Sequence, residues 1–80
     1  MDDNKVLQRI EALSEEELAL EESHASAALS KDRQRRLHDI EVELDQCWDL
    51  LRQRRARRSA RQDPDDAQVR SETVVEQYLQ

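Results

Sequence analysis

In Leu37-His-Asp-Ile-Glu-Val-Glu-Leu-Asp-Gln-Cys-Trp-Asp-Leu-Leu51, the residues Leu37, Ile40, Leu44, Cys47 and Leu51 recur at steps of 3, 4, 3 and 4. Such steps return to one face of an α-helix, whereas a strand would alternate at every second residue. Trp48 lies beside this stripe, and the register runs unbroken into Arg52-Gln-Arg-Arg-Ala-Arg-Arg58. Downstream, Asp63-Pro64 stops the helix, because proline lacks the amide proton and restricts the residue before it. The stretch therefore predicts a helix from about residue 31 to about 61, roughly 45 Å long at about 1.5 Å per residue.

Working outward, Val6, Ile10, Leu13 and Leu20 share one face of an earlier helical segment, with Leu7 and Leu18 beside that stripe. Asp3 or Asn4 is placed to cap its first turn, giving a helix over about 3–23. Glu17 falls near the middle of the apolar face, so it should pair with an arginine or stay near solvent. The small residues from Ser23 to Ser30 form a short connection, with Ser30 as cap and Leu29 as staple of the long helix. Short connections make antiparallel neighbours, so residues 1–62 are expected to form a coiled-coil-like αα-hairpin. A turn near residue 27 sets Ile10 against Leu44 to Cys47 and lets the arginines after Arg52 overhang the first helix. The remainder, 63–80, opens as a capped turn and offers a possible short helix over 71–79, with Ser71 as cap and Val75, Tyr78 and Leu79 at helical spacing. It should fold back over the hairpin or onto another chain.

Composition agrees with an all-α reading. Of the 80 residues, 40% are charged, 2% are aromatic and none is glycine, which suits long helices and excludes a sandwich or barrel. The net charge of -6 is unevenly spread: residues 1–30 carry eight acids and two bases, residues 31–61 ten bases and six acids, and residues 62–80 five acids and one base. Opposite signs in one short chain favour pairing of the chain with itself over binding an external polyanion. A lone cysteine, a polar N-terminal start and the lack of any apolar run near 20 residues lead to the expectation of a cytoplasmic protein with no membrane insertion.

Each chemically suggestive group has a plainer alternative. Arg52, Arg54, Arg55, Arg57, Arg58 and Arg61 are candidate contacts for phosphates or for a partner's acids, yet acidic residues flank the run and no recognition motif accompanies it. Arginine rather than lysine favours ordered, bidentate contacts. Cys47 reads as a packing residue rather than a reactive thiol. His24, His38 and Cys47 match no metal-ligand spacing, no cofactor motif is present, and without a pocket or oxyanion site the carboxylates do not suggest catalysis. Trp48 is a packing anchor that fits either inside the hairpin near Leu7 and Ile10 or at an interface. Val42 and Leu50 widen the apolar arc beyond what one partner helix covers. Together with Trp48, Val75, Tyr78 and Leu79 they make a candidate apolar interface.

The string from Leu37 to Arg58, followed by Asp63-Pro-Asp and the ending Val75-Glu-Gln-Tyr-Leu-Gln80, resembles a family of short bacterial proteins classed only as a domain of unknown function. The likeness spans nearly the whole chain and implies a stand-alone bacterial cytoplasmic protein, with no catalytic or binding residue to transfer.

Taken together, the residues suggest a non-enzymatic helical hairpin that works through protein contacts. Scaffolds of this size commonly gain stability by oligomerising, so a homodimer is expected, two hairpins forming a four-helix bundle; an adaptor for another protein is the companion form. The alternative is association with nucleic acid, at the ribosome or the transcription machinery, through the arginine-rich end.

Overall fold

The computed structural model of the chain describes residues 2–24 and 31–79, with side chains for all of these except 23, 24 and 77–79. The expected cap and staple at Ser30 and Leu29, and the side chains of His24, Tyr78 and Leu79, lie outside the described residues. Three α-helices follow in order: α1, Asp3–His24; α2, Lys31–Ser59; and α3, Glu72–Leu79. A 3-10 turn, Pro64–Asp66, stands between α2 and α3. The described residues contain no strand.

Helix α1 starts at Asp3, but its cap is neither Asp3 nor Asn4. Asp2 is the cap: its Oδ1 accepts from the Lys5 amide at 2.9 Å and its carbonyl from the Val6 amide at 3.2 Å. This leaves the Asp3 carboxylate free to face α2. Val6, Ile10 and Leu13 are buried along the inner face of α1, against Ile40 and Leu51 of α2, which are wholly buried. The two helices run antiparallel. Arg9 meets Glu43, Arg36 meets Glu16, and Arg54 meets Asp3, so positions rise along one helix as they fall along the other. The main cluster combines Val6, Ile10, Leu50 and Leu51, with Leu44, Cys47 and Ala67 packed against it.

Helix α2 stops at Ser59, two residues short of the expectation. Arg61 adopts φ 59°, its amide donates to the Arg58 carbonyl at 3.1 Å, and the Gln62 amide donates to the Arg57 carbonyl at 2.7 Å. That pair of bonds is a Schellman closure, with arginine in the left-handed position usually held by glycine. The chain then reverses. Asp63 caps the 3-10 turn by accepting from the Asp65 amide at 2.9 Å. Residues 67–70 run back along α2 without a ladder of their own, and two of their backbone carbonyls are met by side chains instead: Gln53 donates to Gln68 O at 2.8 Å and Gln46 to Arg70 O at 3.2 Å. Ser71 caps α3 through a 3.4 Å bond from the Val74 amide, and Val75 is buried.

Helix α2 is thus the central element, touching α1, the 3-10 turn and α3, while α1 and α3 share no contact among the described residues. The molecule measures 50 × 25 × 16 Å. Its thin dimension is little more than one helix diameter of about 10–12 Å, which leaves a narrow core.

Candidate functional site

The arginine-rich end does not overhang freely. Arg54 is only 6% exposed. Its guanidinium donates to Asp3 Oδ1, to Asp65 Oδ1 at 3.0 Å and to the Pro64 carbonyl at 3.2 Å. Arg58 closes on the same Asp3 carboxylate with bonds of 2.6 and 3.0 Å. One knot of charge therefore ties the start of α1, the end of α2 and the returning turn. A buried guanidinium is tolerated because several acceptors surround it. Hydrogen bonds from Arg58 and then Arg54 hold the Asp3 carboxyl well below the usual carboxylate range, against the opposing effect of desolvation. Of the six candidate arginines, Arg54 is thereby buried and Arg58, though still exposed, is engaged with Asp3. Arg52, Arg55, Arg57 and Arg61 make no ion pair among the described residues.

A second polar lock fastens the tail. Asp49, 4% exposed, accepts from Gln53 at 2.9 Å and lies 3.7 Å from the Arg70 guanidinium. In the sequence Asp49 is one of the acids that flank the arginine run. Its partner comes from 21 residues away, and nothing local in the sequence announces that contact.

The candidate apolar residues divide sharply. Leu50 and Val75 are buried within the chain's own fold, so neither is available as an outer surface. The physical reason is the returning tail, which covers the flank of α2 that one helix could not. Val42 is half-buried, and Trp48 stays 42% exposed instead of inserting into the hairpin. Leu7 and Leu18, read as mere neighbours of the α1 stripe, are 41% and 55% exposed.

These exposed residues share a side. The ion pairs Arg9 with Glu43 and Arg36 with Glu16 mark one flank of the hairpin, the flank toward which the tail returns. In the same register the helical period places Leu7 and Leu18 of α1, with Leu37 and Trp48 of α2, on the opposite flank, Leu7 level with Trp48 and Leu18 level with Leu37. Its rims carry Glu11 on α1 and Glu41 and Asp45 on α2, none of them in an ion pair among the described residues. Glu17, half-buried between the helices, has its pKa raised by desolvation first and then by Glu21 and Glu41.

On the tail flank, a groove of about 300 Å³ opens between α1 and the returning chain, lined by Val6, Arg9, Glu43, Cys47, Leu50 and Val69 among others. Burial, followed by the neighbouring Glu43, pushes the Cys47 thiol up, while Arg9 opposes this. The thiol is consequently less reactive than a free cysteine. His38 is exposed, with Nε2 3.8 Å from a Glu72 carboxylate oxygen across α2 and α3. No helix among the described residues is long and apolar enough to cross a membrane.

Comparison with known proteins adds a family without an assigned role. The uncharacterized protein Rv0898c of Mycobacterium tuberculosis is 47% identical over 77 residues, spanning 95% of this chain and 88% of its own length. The uncharacterized protein Mb0922c of Mycobacterium bovis matches to the same extent. No solved structure matches. The family model described as "Protein of unknown function (DUF2630)" matches residues 2–80, which includes both helices of the hairpin and the returning tail, and the chain belongs to that family.

Proposed function

We propose that this is a non-enzymatic, cytoplasmic helical protein that acts through protein–protein contacts made by the open flank of its hairpin. One observation carries the reading: Leu7, Leu18 and Trp48 remain 41%, 55% and 42% exposed on a single flank, whereas Leu50, Leu51 and Val75 are buried by the chain itself. Val69 and Val74 of the tail are exposed as well, but only this flank sets several large apolar side chains of both long helices toward solvent, the pattern of a contact site. The reading has two forms, a homodimer in which two hairpins build a four-helix bundle and an adaptor that receives another protein. A photo-crosslinking residue at position 18 tests both. It should yield a defined protein adduct, self or foreign, that the same residue at position 76 does not give; equal labelling from both positions would sink the reading.

A second reading, nucleic-acid association, draws on the four arginines without carboxylate partners among the described residues. Their placement weakens it. Arg52 and Arg55 lie toward the open flank, Arg57 borders the tail side near Gln53 and Arg70, and Arg61 turns the chain at the end of α2. Phosphate binding through them requires affinity that falls steeply as salt rises, and a flat salt response eliminates it.

A further inference from the structure

We propose that the open flank is a docking groove for a cationic amphipathic helix of another protein, its apolar side laid along Leu7, Leu18, Leu37 and Trp48 and its basic side chains against Glu11, Glu41 and Asp45. The inference rests on the protein-contact reading and names the occupant.

Three features specify that partner. The apolar rows, Leu7 level with Trp48 and Leu18 level with Leu37, lie eleven positions apart along each helix. At about 1.5 Å per residue this is roughly 17 Å, or three turns of a docked helix. A valley between two helices with apolar side chains at helical spacing is the shape that receives an amphipathic helix. The third feature is charge. Between and beside the apolar rows stand Glu11, Glu41 and Asp45, with Glu17 and Glu21 toward the far end, and none is neutralised by an ion pair among the described residues. The tail flank differs, because there Glu43 and Glu16 are each held by an arginine of the facing helix. Glu17 registers the excess negative charge directly, since Glu21 and Glu41 add to the desolvation that raises its pKa.

The same charges argue against a second copy. A two-fold axis through the middle of the flank, the arrangement that buries both apolar rows of each chain, maps that middle onto itself. Glu11 and Glu41 of one chain would then enter the same layer as Glu11 and Glu41 of the other. Like charges brought together in a partly desolvated layer oppose association. A helix bearing lysine or arginine on its polar side turns that repulsion into attraction. Arg52 and Arg55, beyond Trp48, would favour an acidic residue at one end of the ligand and so fix its direction.

Trp48 is the only tryptophan in the chain, so its emission reports this flank alone. The probe is a synthetic amphipathic helix of about 14 residues built of leucine and lysine, with a leucine and glutamate counterpart as control. The basic peptide should shift Trp48 emission to the blue in a saturable way that weakens with salt, and the acidic peptide should not. The double variant Glu11→Lys, Glu41→Lys should weaken binding by about ten-fold or more. The variant Asp66→Lys, Glu76→Lys changes net charge equally but lies off the flank, and should change affinity by less than about two-fold. Far-ultraviolet circular dichroism verifies that both variants keep their helices. Equal weakening by the two variants, or no blue shift, overturns the proposal. If the protein alone doubles in mass with concentration and its Trp48 emission shifts without peptide, a second copy holds the flank; the occupant is then wrong while the protein-contact reading survives. That broader reading fails separately, through equal crosslinking from positions 18 and 76.

Discussion

The two flanks of the hairpin are built from the same kinds of residue and treat them in opposite ways. On the tail flank, Arg9 and Arg36 close on Glu43 and Glu16, Asp49 finds Arg70, and Leu50 is covered. On the other flank, leucines of similar size and the single tryptophan stay exposed beside carboxylates that make no ion pair among the described residues. Had burial and pairing simply been maximised, the returning segment would cover the wider apolar exposure. Instead it covers one side and is locked there by glutamine and arginine side chains of specific reach. The tail flank thus holds the cross-pairing and the cover of Leu50, although Val69 and Val74 of the tail remain exposed, and the open flank should contribute little to stability.

The largest expected effect tests that division with one chemical change made on both sides. Leu51→Ala removes a wholly buried side chain and should cost about 2–5 kcal/mol, enough to unfold much of a small domain. Leu18→Ala, on a side chain 55% exposed, should change unfolding free energy by less than about 0.5 kcal/mol. Urea unfolding followed by circular dichroism compares them, and similar losses would mean the open flank is part of the core. A smaller contrast lies within the ion pairs. Asp3→Ala strands the buried Arg54 guanidinium with only Asp65 and a carbonyl, so it should lower the urea midpoint clearly more than Arg9→Ala, which breaks a half-exposed surface pair. Equal midpoints would show that the Asp3 knot contributes no more than a surface contact.

Much of this architecture was legible in the residues. The 3,4 spacing from Leu37 to Leu51 specified α2 and its buried stripe, because helical period and burial are both local consequences of the pattern. Glycine-free, charge-rich composition pointed to the all-α class. The contacts that assign roles to surface residues were not legible. In the run of six arginines the 3,4 register that ends on Leu51 continues to Arg54 and Arg58, the two that turn inward; what no local pattern announces is their partners, Asp3 from the start of α1 and Asp65, which the reversal at Arg61 brings back beside Arg54. Leu50 looked like outer surface for the same reason, since its cover comes from Ala67 and its neighbours in the tail. Leu7 and Leu18 sat next to a good stripe and read as its margin. Only the choice of flank by the tail shows that they stay uncovered.

Acid should act on the closed flank and the interhelical seam in opposite senses. Asp3 and Glu16 have depressed folded-state pKa values, the first through Arg58 and Arg54 and the second through Arg36. The unfolded chain therefore binds more protons at low pH, and the stability these groups contribute is complete above their ordinary values near 4 and is lost as pH falls below them. Glu17 is displaced upward, chiefly by desolvation, so the folded chain takes its proton first. Its charge opposes folding at neutral pH, and that opposition lifts as pH falls through its raised value. Asp3→Asn should flatten the loss of stability below about pH 4, while Glu17→Gln should raise stability at pH 7 and leave the acid limb in place. Thermal unfolding across pH 2 to 7 reads both. An acid limb unchanged by Asp3→Asn would remove the knot from the account of acid sensitivity.

The smallest effect concerns the hinge that creates the asymmetry. Arg61 holds φ 59° in a chain that has no glycine at all. A side chain with a Cβ pays about 1–2 kcal/mol in that region, while glycine enters it freely but adds flexibility to the unfolded chain. Arg61→Gly should therefore stabilise by up to about 1 kcal/mol, and Arg61→Val, whose branched Cβ suits this region least, should destabilise by about as much or more. Both act through the reversal that returns the tail, so hydrogen exchange at the Ala67 and Val75 amides should slow with glycine and quicken with valine. Trp48 emission and the response to the basic peptide should stay unchanged in the glycine variant, because the open flank takes no support from the tail. If Arg61→Gly alters peptide binding as much as it alters tail protection, the flanks are coupled, and the tail regulates the groove instead of merely leaving it uncovered.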